Sequence, residues 1–555
     1  VSLAVEHTVE YERVRDLPRR VLSIETAREW AEYLTSVFSL RAGAELRPWQ
    51  SAAIAEAVDC GGAWMALPVG LGKTIISALL PLAMHARRTM LLVPGTLLAK
   101  THADFASFVD VWRMSREPLM IVSREKISVE TGADLLDGFA PDLIIIDESY
   151  MLANPRSSAS LKIGRYVRNH SDVRVVAMDG TPSRKTIMSY WHVIAWCLGD
   201  GAPLPLIESE ARMWALVLDD HRGVRPDPGP LGGSPEQACA WYRQRLIETP
   251  GVVIVDEDSC TAPLTVRMRI AREDPILDQA FTRFLIEQES PGGNPVSDPL
   301  SRWLLDGQLG LGLYSRWNPE PPDAWRNARR AVARFVRERI EASTRSTRPL
   351  DSEAPVLRRY AEHAIVREWN VIKPTFGGST ETVWISRSTL DECLTWLREI
   401  EKPGIVWCGS VPFGEALARE ARLPYYGAGG VTVNGFSLID APPGTSFIAS
   451  WKANMKGFNL QSWSRQLITM PPQSAVYLEQ IIGRSHRSGQ DDHVIVDVLV
   501  TSGGTLDLFD ATFRESEKVR ERESLTQKIL RADIVRAEPK VNQHNEFRWA
   551  RKGSK

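Results

Sequence analysis

Residues Met65–Ile76, MALPVGLGKTII, run from an apolar stretch into Gly70-Leu71-Gly72-Lys73-Thr74 and back into apolar sequence. Glycines let the backbone turn successive N–H groups toward one point, and a following helix adds its positive N-terminal end. Lys73 brings a mobile cation and Thr74 a hydroxyl, so the stretch is a cradle for a nucleoside triphosphate. Such a loop needs a strand before it and a helix after it, which commits this part of the chain to an α/β sheet. Gly-Leu-Gly also occurs in ordinary strand-to-helix turns, and Leu67 stands where Gly or Ala is usual, so the cradle needs support from motifs elsewhere in the chain.

Downstream, Thr89–Val93 and Leu119–Val122 are short apolar runs bounded by turns, the pattern of buried parallel strands. Asp142–Tyr150, DLIIIDESY, ends a third such run abruptly in two carboxylates. A parallel strand presents its C-terminal end to ligands, so Asp147 and Glu148 are expected beside the phosphate loop. There Asp147 suits Mg²⁺, and Glu148 suits the orientation and deprotonation of an attacking water. Val173–Met178 is a further strand, followed by Asp179-Gly180-Thr181-Pro182. A small, hydroxyl-bearing turn there is placed to sense the phosphate site, so Gly180 and Thr181 are coupling candidates.

Bulk composition constrains less. The 555 residues suffice for about three or four domains. A 43% hydrophobic and 25% charged make-up is that of a globular protein with substantial cores, and a net charge of −2 confines nucleic-acid contacts to local basic patches. Six cysteines without a Cys-x-x-Cys pair, and histidines that complete no zinc pattern, favour a reduced intracellular protein. No apolar run reaches membrane-spanning length, and charged residues fill the start of the chain, so no membrane partner and a cytoplasmic location are expected.

Around the loop lie further candidates. Leu46-Arg47-Pro48-Trp49-Gln50 opens a helix whose Gln50 is suited to an adenine edge, or is simply a helix start with Pro at its first position. Between about 200 and 380, Pro/Gly-rich linkers separate helical segments. One of these, Asp323–Arg345, carries Arg326, Arg330, Arg334 and Arg337 along one face. That face either lies on a phosphate backbone or is simply solvated. Strand-and-helix alternation returns at Thr382–Ser386, Gly404–Cys408 and Ser446–Ala449. Lys456-Gly457-Phe458-Asn459-Leu460 then precedes a strand, Gln466–Met470, and a helix bearing Gln480, Gly483, Arg484, His486, Arg487, Gly489 and Gln490. At spacing i, i+3, Arg484 and Arg487 are expected to leave the same helix face, and fixed cations of this kind accelerate phosphoryl transfer by about three to five orders of magnitude elsewhere. The basic, aromatic tail from Val535 is expected to be disordered or to touch nucleic acid.

Taken in order, LRPWQ (46–50), GLGKT (70–74), DESY (147–150), GTP (180–182), KGFNL (456–460) and QIIGRSHRSGQ (480–490) resemble the motifs of superfamily 2 helicases and translocases. The last motif, and DESYMLAN (147–154), look like the Swi/Snf-related branch, in a compact form similar to stand-alone bacteriophage members. The resemblance implies an α/β fold of two RecA-like parallel-sheet domains with a helical insertion between them. The corresponding division is an accessory segment 1–43, a first domain 44–205, an insertion 206–380, a second domain 381–505 and a C-terminal helix and tail 506–555. It implies ATP and Mg²⁺ as ligands, with Gln50, Gly70, Gly72, Lys73 and Thr74 on the nucleotide and Thr74 and Asp147 on the metal. Lys73, Asp147, Glu148, Gln480, Arg484 and Arg487 would be catalytic, and Gly180, Thr181 and Gly457 would couple the site to movement. The implied partner is DNA, duplex or branched and bound without sequence specificity, with Arg326, Arg330 and Arg334 as candidate contacts. An RNA helicase and an ATP-gated clamp that does not translocate are the alternatives. The chain departs from the branch at Leu67-Pro68, where acids are common, at Tyr150 in place of His, and at Met470-Pro471-Pro472-Gln473 in place of an Asp-x-x-Trp-Asn-Pro element. These departures fall on DNA-strand and interdomain contacts and leave the hydrolytic set in place.

Overall fold

The computed structural model describes residues 4–551 except 69, 181–185, 220–224, 259, 344–349 and 456. Two parallel sheets dominate. The first comprises β1 (Ala63–Ala66), β2 (Thr89–Val93), β3 (Leu119–Ser123), β4 (Leu143–Asp147), β5 (Arg174–Asp179) and β6 (Val252–Ile254), in the order β3-β2-β4-β5-β1-β6. Both faces are covered, which is why its strands read as continuous apolar runs. In β4, Ile144 and Ile146 enter one core with Trp64 and Ala177, while Leu143 and Ile145 enter the other with Met65 and Val176.

Register fixes the functional edge. Ala66 lies opposite Asp179, and Asp147 opposite Met178. The C-terminal ends of β4, β5 and β1 therefore share one rim of the sheet, with the Gly70–Thr74 loop springing from β1 and the acidic pair from β4.

The second sheet begins at β7 (Leu264–Ile270), after which β8 (Leu313–Asn318) and β9 (Ser379–Trp384) form a separate antiparallel pair. It continues with β10 (Gly404–Cys408), β11 (Tyr425–Tyr426), β12 (Phe447–Ser450), β13 (Arg465–Ile468), β14 (Val494–Val500) and β15 (Asp533–Val535), in the order β11-β12-β10-β13-β14-β7-β15. Helices between β7 and β10, including Pro275–Glu287, Pro299–Gly310 and Asp323–Ser343, build small apolar cores of their own.

Four expectations are corrected here. The domain boundaries differ: β6 returns to the first sheet and β7 already belongs to the second, so the stretch 206–380 contains strands of both sheets rather than an insertion alone. Short runs such as Val252–Ile254 carry too little pattern to assign to a sheet from sequence. Thr382–Ser386 falls on the β8–β9 pair rather than the second sheet. The helix carrying Arg484 ends at Ser485, so Arg487 sits in the turn beyond it and not on the same helical face. Finally, the tail docks. Trp549 joins the second domain's core, and Arg548, 2% exposed, donates from Nε to Thr501 O at 2.8 Å.

The domains are joined through a buried charge cluster. Helix Gly503–Glu523, which follows β14, reaches back to the first domain, where Arg522 Nη1 meets Asp219 Oδ1 at 2.7 Å. Tyr190 Oη donates to Glu523 Oε1 at 3.1 Å, and Asp219 also accepts from Ile187 N at 3.0 Å. No helix among the described residues is long and apolar enough to cross a membrane.

Candidate functional site

The loop between β1 and the helix at Lys73 is shaped by two glycines in the left-handed region, Gly70 at φ 96° and Gly72 at φ 83°. At Gly72 an added Cβ would lie 2.4 Å from Gln50 Nε2, so any side chain there would displace the Gln50 carboxamide. Helix Lys73–Ala83 starts directly after it, so its unsatisfied N–H groups face the loop. Lys73 Nζ donates to Leu67 O at 3.3 Å and lies 3.9 Å from Glu148 Oε1. Gln50 is buried, accepts from Arg47 N at 2.9 Å and donates to Leu71 O at 2.8 Å. Its carboxamide thus braces the loop from the N-terminus of helix Pro48–Cys60.

The acidic pair sits on an unusual turn. Glu148 adopts φ 59°, rare for a residue with a side chain. Asp179, at the end of β5, holds that turn, accepting from Tyr150 N at 2.5 Å and Ser149 Oγ at 3.2 Å. Asp147 is half-buried as a residue, but its Oδ1 is sealed from solvent with no hydrogen-bond partner in the protein. Burial first, then the neighbouring Glu148 charge, push its carboxyl up to about 7, against the pull of Lys73. A buried carboxylate oxygen without a protein hydrogen-bond partner, close enough to Lys73 and Glu148 to feel both charges, is a fitting donor for a hard divalent cation. The described residues contain no cluster of three or more His, Cys, Asp or Glu that would bind a metal without help. An ion here would rely on substrate oxygens and water, as Mg²⁺ commonly does.

Across the cleft, the second domain presents one buried and one half-buried arginine, Arg484 and Arg487. Arg484 is 7% exposed and is tied by Nε to Gln480 O at 3.0 Å and by Nη1 to Phe458 O at 3.1 Å. Burial and then Arg487 lower it to about 10, while Glu148 of the first domain pulls the other way. Arg487 is lowered by burial. Gln480, 4% exposed, has its Oε1 buried without a partner. Gly457, at φ 84°, faces the first domain, and a Cβ there would collide with Leu97 Cδ2 at 2.1 Å. Gly180 follows Asp179 at the sheet rim, while Thr181 lies outside the described residues.

Two residues missed from sequence join this constellation. Lys100, on helix Leu98–Phe108, is lowered chiefly by burial; Asp104 pulls its pKa back up, Arg487 and Arg484 lower it further, and Asp147 raises it, so it faces charges of both domains. Arg47 spans the cleft, with Nη1 on Gly70 O at 3.1 Å and Nη2 on Ser488 Oγ at 2.9 Å. Neither has a spacing signature; each is one cation in a short amphipathic or loop segment.

The arginine face of helix Asp323–Ser343 lies elsewhere and is partly engaged. Arg330 makes a two-pronged pair with Glu289 at 2.7 and 3.0 Å, and Arg326 pairs with Asp323 and, at 3.7 Å, with Glu320. Arg334 lies on the same helix. The chain matches no known family model and no curated protein.

Proposed function

We propose that this protein is an ATP-driven DNA translocase or helicase, in which two RecA-like domains share one triphosphate and convert its hydrolysis into movement along duplex or branched DNA. The supporting observation is the convergence across one cleft: Lys73, Lys100, Asp147 and Glu148 from the first domain face Arg484 and Arg487 from the second, near enough that their charges shift one another.

In this reading Gly70, Gly72, Lys73 and Thr74 hold the phosphates, and Gln50 keeps the loop in shape while bordering the adenine. Thr74 and Asp147 would hold Mg²⁺, which when bound supplies charge neutralisation for the β- and γ-phosphate oxygens. Glu148, whose turn is fixed by Asp179, takes a proton from water as the oxygen bonds to the γ-phosphorus and the bond to the β–γ bridging oxygen breaks. Gln480 orients that water, and Arg484 and Arg487 stabilise the charge on the transferring phosphoryl group. Arg484 also holds Phe458 O beside Gly457, so a shift of the arginine on hydrolysis reaches the interdomain contact at Leu97. Gly180 and Thr181 relay the same change within the first domain. Gripping a phosphate backbone in this way is independent of sequence and sensitive to salt.

The deciding experiment is ATP turnover with duplex DNA, branched DNA, single-stranded DNA and RNA. Strongest stimulation by duplex or branched DNA is expected. Stimulation by RNA alone reassigns the substrate, and tight ATP binding without turnover reassigns the chain to a clamp.

A further inference from the structure

We propose that Arg47 is a positioning residue, whose guanidinium clasps the phosphate loop of the first domain to the turn of the second that carries Arg487. The inference rests on reading the cleft as a triphosphate site.

The clasp is rooted at both ends. On the first domain, the Arg47 backbone N–H is fixed to Gln50 Oε1 at 2.9 Å, and Gln50 in turn holds Leu71 O at 2.8 Å. Pro48 immediately follows and sets the start of the helix. Moving the root of Arg47 therefore moves the loop at residues 70 and 71. On the second domain, Ser488 lies in a turn held from within. Gln461 Nε2 donates to Ser488 O, and Gln490 Nε2 donates to Gln461 O at 2.7 Å and to Ser485 O at 3.3 Å. Gly489, at φ 88°, lets the chain pass Gln461, and a Cβ there would come within 2.9 Å of Gln461 Nε2. Arg487 is thus carried on a small stiff unit whose outward handle is the Ser488 hydroxyl.

Only a forked cation spans such a pair of acceptors. Arginine directs two N–H groups from a planar frame at Gly70 O and Ser488 Oγ together, whereas the single ammonium of lysine is a point charge on a flexible stem. Arg47 itself is exposed, so its effect is carried less by charge than by the separation it sets. Charges of both signs meet at the cleft, with Lys73, Lys100, Asp147 and Glu148 on the first domain and Arg484 and Arg487 on the second, so Coulomb forces alone set no single spacing. A clasp at the rim sets that spacing and holds Arg487 in register with the phosphate loop.

The test combines turnover with a distance measurement. Spin labels go at Val109→Cys and Val433→Cys, exposed sites on the first and second domains, in a Cys60→Ser background that removes the one exposed cysteine among the described residues. With a non-hydrolysable ATP analogue and Mg²⁺, the parent protein should give one narrow distance distribution, and Arg47→Ala and Ser488→Ala should each broaden it. Turnover should fall about three- to tenfold in both, because each loses the Arg47–Ser488 bond across the cleft, while KM for ATP stays within about twofold. Arg47→Lys should not rescue, and the double variant should cost no more than either single one. Full rescue by lysine, or an unchanged distance distribution in both single variants, overturns the proposal. If the parent protein has no turnover, the functional reading fails, and the distance measurement still decides on the clasp.

Discussion

Asp147→Asn should make the protein more stable while removing its activity. The Asp147 carboxyl is raised to about 7 by burial and by Glu148. Relative to an ordinary aspartate near 3.8, the folded state favours the protonated form, so stability is fully present below about pH 4 and is lost as pH rises toward 7. At about 1.4 kcal/mol per unit of pKa, the ceiling on this loss is about 4 kcal/mol. The residue is only half-buried and an asparagine amide brings its own unsatisfied N–H groups, so a gain of roughly 1–3 kcal/mol is expected at pH 7.5. Scanning calorimetry at pH 7.5 should place the first domain's transition about 2–4 °C higher per kcal/mol gained, and at pH 4 the difference should vanish. Mg²⁺ should raise the transition of the parent protein and not that of the variant. A variant that melts lower at pH 7.5, or that gains equally at pH 4, refutes the account of Asp147 as a strained, cation-seeking carboxylate.

The same geometry sets other expectations. Glu148→Gln should retain ATP and DNA together while turnover drops at least a hundredfold, roughly the size of a lost general base; filter binding checks retention, and unchanged turnover removes Glu148 from that role. Arg522→Met strands Asp219 and Glu523 in the interior and should cost about 3–5 kcal/mol in urea unfolding. Since burial already raises Asp219 to about 6, the loss should be smaller at pH 5, where it accepts a proton, than at pH 8. For Arg326, Arg330 and Arg334 changed together to Ala, the ion pairs to Glu289 and Asp323 point to little change in the salt dependence of DNA binding. A slope lowered by about two or three would mark that helix as a phosphate contact.

How far the molecule was legible depends on the trace each interaction leaves in sequence. The strand ends at Ala66 and Asp147 were readable because a strand buried on both faces is continuously apolar and the pattern breaks where the chain leaves the sheet. The sheet edges were not readable. β6 spans only Val252–Ile254, and β15 only Asp533–Val535. Arg484 and Arg487 were found by their motif, yet their spacing suggested one helical face, and the helix in fact stops at Ser485. Long-range pairings such as Arg522 with Asp219 leave no local pattern, because each partner alone looks like a surface charge. The tail misled for a related reason. Its basic composition suits a solvated terminus, but Arg548 spends its guanidinium on Thr501 O, and the Trp549 ring on the core.

In the proposed mechanism one reaction needs groups from both sheets. The most direct measurement compares DNA-stimulated ATP turnover in the parent protein, in Lys73→Ala and in Arg487→Ala, with circular dichroism to confirm folding. Both variants should lose turnover by about three orders of magnitude or more, although the altered residues lie in different domains. Full turnover in folded Arg487→Ala would contradict the shared site.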